Sequence, residues 1–223
     1  MELNAVEARV IGSLAEKELT TPQQYPLTRN ALVIACNQTS NRDPVVAYDD
    51  GVVEAALAAL KDAGLLRFVH PGAGRSATRY RHVLDERFGL DARGLSVVAV
   101  LLLRGPQTVG ELRARTDRMA DFASIDEVGA ELERLAGGPD PLVRRLPRRP
   151  GQKEERWAEL LSGGRAEADA VSDADATDAA VAVRSVSLDD AVTSLRAEVD
   201  ALREEVLRIS TIVEELRGTL DRP

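Results

Sequence analysis

The sequence predicts a mainly α chain with small β-hairpins: two tandem winged helix-turn-helix domains followed by a C-terminal coiled coil. Three observations point there. An order of three helical segments and a strand pair is written twice in residues 1–161. Helix starts in both copies carry side-chain caps, and helix ends carry glycines. After a change of composition, residues 188–220 hold an unbroken heptad pattern. The chain is thereby divided into a first winged helix at 1–89, a second at 90–161, a flexible linker at 162–187 and the coil at 188–220.

The first copy opens with a helix over residues 4–19, where Val6, Val10, Ile11 and Leu14 recur at helical spacing on one stripe. Asn4 precedes Glu7 by three residues, so its side chain can accept an orphan backbone N–H while the carboxylate reaches back. A short helix follows at 28–36, then a longer one at 50–63 that buries Val53, Ala56, Leu57 and Leu60. Gly64 ends it, because glycine takes the left-handed cap without steric cost. Strands at 65–70 and 77–82 bracket the turn-rich PGAGRS loop. The second copy repeats this order at 91–104, 108–116, 124–136, 142–146 and 154–157. Thr108 with Glu111, and Ser124 with Glu127, again have capping-box spacing, and Gly137 and Gly138 close the third helix. Each hairpin returns through an aromatic, Tyr80 or Trp157, expected to close the core beneath its wing.

Of the 223 residues 44% are hydrophobic but only 3% aromatic, so the cores must be built from Leu, Val and Ala. A single cysteine, Cys36, allows no intrachain disulfide and suits a reducing compartment. The N-terminus carries Glu2 and Glu7 instead of a basic region, which argues against a signal peptide. The richest apolar run, residues 97–103, is too short for a bilayer. A cytoplasmic protein with no membrane partner is expected. The net charge of −8 is unevenly placed. Residues 1–90 hold 10 Lys/Arg against 11 Asp/Glu, residues 91–161 hold 12 of each, and residues 162–223 hold 7 against 14. The acidity belongs to the tail, and the repeated region is balanced enough to meet an anionic partner.

Beyond Leu161 a run rich in Ala, Asp and Ser offers little to bury and reads as linker. The coil then takes Val192, Val199, Val206 and Val213 as a positions and Leu188, Leu195, Leu202, Ile209 and Leu216 as d positions. β-Branched a residues with mostly leucine at d favour two parallel strands, with Glu198 at g facing Arg203 at the next e. The expectation is a parallel homodimer. An amphipathic helix docked on its own domain is the alternative.

The segment at residues 37–46, NQTSNRDPVV, stands where a winged helix ordinarily has a tight turn. Asn37 suits a left-handed helix end, and Asp43 before Pro44 forces an extended or turn geometry. One reading has Asn41 and Arg42 projecting as a binding loop. The other makes the segment an internally hydrogen-bonded insertion with Arg42 paired to a nearby carboxylate, since such clusters are first of all turn chemistry.

A third helix that reads DNA presents Arg, Lys, Asn or Gln to bases and phosphates. Here the first copy offers Asp49, Asp50 and Glu54, and the second Asp126, Glu127, Glu131 and Glu133. That is a poor match to major-groove readout. The hairpins are basic instead: Arg75, Arg79 and Arg81 in the first, and Arg144, Arg145, Arg148, Arg149, Lys153 and Arg156 in the second. Basic tips contact phosphates with salt-dependent, largely sequence-blind affinity. A solvated hairpin paired with Glu154 and Glu155 is the plainer alternative. Catalysis finds little support. His70 and His82 cannot alone complete a metal site, Cys36 reads as a buried thiol beside Ile34 and Ala35, and PGAGRS lacks a P-loop lysine. No enzyme activity, cofactor or metal is expected.

The stretches NALVIACNQTSNRDPVV, RYRH and LPRRPGQKEERW together resemble the YceH family of uncharacterised bacterial proteins, built as tandem winged helices. The resemblance covers about residues 3–161 and stops at the linker, which makes the coil an added tail. Asn37, Asn41, Arg42, Asp43 and Pro44 are its diagnostic loop. It implies two winged helices and a general expectation of DNA binding, but no ligand, reaction or target site. A homodimer associated with double-stranded DNA through its wings, in the manner of a transcriptional regulator, is the leading expectation. The alternative is an interaction scaffold whose acidic third helices dock an unidentified protein, since the fold hosts both.

Overall fold

A computed structural model of the chain describes residues 2–70, 77–148 and 151–162. The linker from residue 163, the coil at 188–220 with its Val192, Leu195, Val199, Leu202, Val206, Ile209, Val213 and Leu216, and Arg75 and Arg149 lie outside the described residues. The described residues all belong to one compact unit. They are mainly helical with small antiparallel sheets. In chain order they form α1 (Ala5–Thr20), β1 (Leu27–Thr28), α2 (Arg29–Cys36), α3 (Asp50–Asp62), β2 (Leu66–Val69) and β3 (Arg79–His82). There follow α4 (Leu84–Phe88), α5 (Ala92–Arg104), α6 (Val109–Thr116), α7 (Ile125–Ala136), β4 (Val143–Leu146) and β5 (Arg156–Glu159). Three helices and a strand pair thus recur in order, with α4 inserted between the copies. Among the described residues no helix is long and apolar enough to cross a membrane.

Helix ends follow the residues expected to make them. Asn4 and Thr108 each form a reciprocal capping box, with Glu7 and Glu111. Ser124 caps α7 through the Glu127 N–H, but the Glu127 carboxylate turns instead to the Ala123 N–H and Arg93. The expected third box is therefore a simple cap. Thr28, Asp49 and Asp91 cap α2, α3 and α5 in the same way. At the end of α3, Gly64 has φ +70, while its N–H reaches Lys61 O and the Leu65 N–H reaches Leu60 O. Those two bonds satisfy carbonyls the helix leaves open, and the left-handed φ is why glycine stands there.

The strand pairs repeat a finer detail. β1 pairs with β3 so that Leu27 faces Tyr80, and β2 pairs with β3 on the other side, with Phe68 opposite Tyr80. In the second copy β4 pairs with β5, with Arg145 opposite Trp157, while Gln107 forms an isolated bridge to Trp157. In both copies the residue just before the capping threonine of the second helix meets the returning aromatic. Trp157 is buried and Tyr80 is partly buried against the core, as expected of residues beneath the hairpins. β5 begins two residues later than the sequence suggests, because Glu154 and Glu155 remain in the exposed turn.

The most extensive helix–helix contact is between the first helices of the two copies, α1 and α5. The sequence predicts one apolar stripe on α1. The structure buries every residue from Ala8 to Glu16, and every residue of α5 from Gly94 to Leu103. A helix enclosed all round needs small residues where its neighbour comes close. Gly12 supplies that: a Cβ there would lie 3.0 Å from Leu102 Cβ and 3.1 Å from Leu103 Cγ. A single apolar core consequently runs from Leu3 and Val10 through Leu102 to Trp157 and Leu161. Leu161 closes it by accepting a 2.7 Å hydrogen bond from the Leu3 N–H.

The crossing gives a stability prediction. Gly12→Val forces side-chain volume against Leu102 and Leu103 and is expected to cost about 2–3 kcal/mol through overpacking. Urea unfolding of the full chain measures it, and an unchanged midpoint would refute so close a contact.

Candidate nucleic-acid interface and insertion loop

The segment between α2 and α3 is an internal structure. Asn37 clamps its neck: its Nδ2 donates to Tyr48 O at 2.8 Å and its Oδ1 accepts from the Tyr48 N–H at 2.8 Å. Asn37 itself has φ −91, so it is not the left-handed residue expected there. That conformation falls to Asn41, at φ +58, a region asparagine tolerates better than most side chains. Arg42 does not project. Its side chain is fully buried and grips Glu16 of α1 through two bonds of 2.6 and 3.1 Å. It also donates to Ala35 O, to Gln38 Oε1 and to Asn41 O. Of the two readings of this loop, the internally hydrogen-bonded one is what the structure contains.

A second buried guanidinium completes this network. Arg9 of α1 donates to Cys36 O at 3.1 Å and to Pro44 O at 2.6 Å. Ala35 and Cys36 are the last residues of α2, whose final carbonyls have no partner within the helix and carry its negative dipole end. Arg42 and Arg9 therefore cap α2 with positive charge. Asp43 fixes the far side of the loop through its N–H to Leu103 O at 2.9 Å. Sequence reasoning missed Arg9 and Glu16. Both lie on one face of α1, seven residues apart, and that spacing within an otherwise apolar and small-residue helix was the available signal.

The basic hairpin residues are unequally available. Arg79 donates to Pro26 O at 2.8 Å, and Arg81 pairs with Glu86, which also holds Arg67. Arg145 contacts Glu133 and lies 3.3 Å from Glu155, with its guanidinium 5.1 Å from the centre of the Trp157 ring. Arg144 is half-buried on β4. Arg156 donates to Pro106 O. Arg148 and Lys153 are exposed, and among the described residues the Arg148 guanidinium donates to the Lys153 backbone carbonyl at 3.3 Å. Among the described hairpin residues, these two are the cations most open to an outside anion.

The acidic third helices are also largely engaged. Arg29 of α2 binds Asp50 at 2.8 Å and Glu54 at 3.0 Å. On α7, Glu131 is buried and forked to Arg134, Glu127 meets Arg93, and Glu133 meets Arg145. His82, the last residue of β3, is fully buried. Its Nδ1 accepts from the Leu84 N–H, its Nε2 faces Glu18, and its backbone N–H donates to Tyr25 Oη. The bond from His82 holds the Glu18 carboxyl below its ordinary value, while burial and the Glu18 charge push the Tyr25 phenol up. Among the described residues no group of three His, Cys, Asp or Glu is placed to hold a metal ion.

Comparison with known proteins follows the same boundary and then crosses it. A family model described as "Protein of unknown function, DUF480" matches residues 3–152. The UPF0502 protein of Geobacter metallireducens is 53% identical over 161 residues, covering 72% of this chain and 73% of that protein. The UPF0502 protein of Pelobacter propionicus is 46% identical over 224 residues, covering 99% of each. That of Solibacter usitatus is 42% identical over 221 residues, covering 99% of this chain and 98% of the relative. The last two alignments span 99% of this chain and so extend beyond residue 162 into the tail.

Two outcomes test the loop. Arg42→Ala leaves Glu16 buried without its guanidinium and is expected to destabilise the fold by about 3–5 kcal/mol. A urea midpoint near the wild-type value would show that the ion pair does not hold the loop. Cys36 lies at the capped end of α2, and burial pushes its thiol up to about 11. At a pH of about 8 the folded chain is therefore expected to resist iodoacetamide and to react once denatured. Rapid labelling of the folded protein would contradict that environment.

Proposed function

The chain belongs to the DUF480 family of proteins of unknown function, and from that premise we propose that its two helix–helix–helix–hairpin units are winged helices that associate with DNA through the β4–β5 hairpin. The observation that carries this reading is the exposed pair Arg148 and Lys153 beside Arg144 and Arg145 on one short hairpin. Closely spaced cations on a hairpin tip suit phosphates of a duplex and release its counterions. The pairing of Asp50 and Glu54 with Arg29 supports the same reading. Part of the negative charge that would repel DNA from α3 is balanced within the fold. Neither third helix offers a row of base-reading side chains, so the contact is to backbone and largely indifferent to sequence. Control of transcription would then rest on recruitment or occupancy more than on operator reading.

The test is anisotropy of the full chain with a labelled duplex over salt from about 50 to 200 mM. Wild type is expected to bind more weakly as salt rises. Arg148→Ala combined with Lys153→Ala is expected to reduce the log–log slope by about 1–2. Absence of binding at the lowest salt would overturn the DNA reading and favour a protein partner for the exposed surfaces of α3 and α7.

A further inference from the structure

His82 ends β3 just before α4, and its buried ring lies between two carboxylates. Nε2 faces Glu18 of α1, while Nδ1 lies 3.6 Å from Asp85 Oδ1 of α4. Nδ1 also accepts from the Leu84 N–H at 3.2 Å. It therefore carries a lone pair, and the ring hydrogen of the neutral imidazole belongs on Nε2. Leu84 is the first residue of α4, and Val83 before it supplies no side-chain cap. The imidazole stands in for that cap, taking one of the N–H groups that a helix start leaves open. Asp85 Oδ1 is buried and has no hydrogen-bond partner among the described residues. Two further titratable or charged groups surround this centre: Tyr25, whose Oη accepts from the His82 N–H, and Arg81 of β3. Glu86 stands beyond them and holds Arg67 and Arg81, while β2 sets the apolar Leu66 opposite His82. The bond from His82 keeps Glu18 below its ordinary value, so that carboxylate stays charged while histidine titrates.

A second proton can enter this ring only at Nδ1, where it takes up the lone pair that holds the Leu84 N–H. We propose that His82 is a proton-operated latch on α4: neutral, it caps the Leu84 N–H; protonated, it releases that N–H and donates from Nδ1 to Asp85 Oδ1. Burial alone resists a charge on the ring, and an opposite charge close by offsets that resistance. Here one carboxylate stands at each nitrogen. The 3.6 Å gap to Asp85 is wider than a charge-assisted bond of about 2.7–2.9 Å. Asp85 must close it, and the first turn of α4 moves with Asp85. That helix is the one inserted between the two copies, and its Glu86 clasps two arginines of the first hairpin. The exchange at His82 therefore reaches both the junction and the hairpin base.

The chain has two histidines, so His70→Asn leaves His82 as the sole imidazole. Proton–nitrogen NMR correlation spectra of the full chain with that substitution read the ring and the Leu84 amide together. The range is about pH 8 to about pH 5, where histidines ordinarily titrate. At about pH 8 a single tautomer is expected, with its hydrogen on Nε2. On acidification Nδ1 is expected to gain a proton, and the Leu84 amide resonance to shift with the same midpoint. Adding Asp85→Asn is expected to move that midpoint down by about one pH unit, with circular dichroism reporting an intact fold. A ring carrying its hydrogen on Nδ1 at about pH 8 would overturn the latch. So would a ring that stays neutral to about pH 5, or a Leu84 amide that ignores the titration. An unchanged midpoint with Asp85→Asn would overturn it as well. None of these readouts involves a duplex, so the latch stands or falls apart from the DNA reading.

Discussion

The approach of α1 to α5 at Gly12 governs much of the described structure. With α5 against one side and α2 and α3 against the others, α1 has no face left for water along Ala8–Glu16. Any charged residue in that stretch must find its partner inside the protein, because an unpaired buried charge is far more costly than an unpaired exposed one. Arg9 and Glu16 are the two such residues. Both are answered by the segment between α2 and α3, which explains why that segment is longer than a turn.

The loop in this view is a helix cap made of distant parts. Arg42 brings one guanidinium to the end of α2 from the loop and is paired with Glu16, while Arg9 brings another from α1. Asn37 closes the neck through two backbone bonds, and Asp43 fixes the far side to α5. A single polar network thereby joins α1, α2, the loop and α5. Glu16 of this network, with Asn41 of the loop, also borders a small cleft beside Arg104 and Arg115.

What the sequence disclosed follows from how local each signal is. Caps such as Asn4 and Thr108, the Gly64 helix end and the aromatic returns at Tyr80 and Trp157 depend on neighbours within a few residues or across one strand pair. They were legible. Burial of the whole girth of α1 was not, because its apolar stripe looks complete with Val6, Val10, Ile11 and Leu14. The missing clue lay elsewhere in the chain, in the run at residues 97–103, whose lack of a polar face calls for an enclosing partner. The pairing of Arg42 with a carboxylate was one of two readings of the loop. Its partner, Glu16, stands 26 residues away, beyond any local pattern. The short-range environment of Glu127 was misjudged for the opposite reason: Arg93 competes for a carboxylate whose spacing fits a capping box.

The hydrogen bond from Leu3 to Leu161 has a topological consequence. It brings the two ends of the packed region into register, and Glu159 reinforces that end by accepting from the Leu161 and Ser162 N–H groups. In terms of contacts the unit is a closed ring, in which the backbone gap is bridged by a hydrogen bond instead of a peptide bond. Which elements touch is fixed by α1 and α5, but where the covalent thread starts is not. The connectivity of the polypeptide and the connectivity of the core are therefore separable properties of this protein.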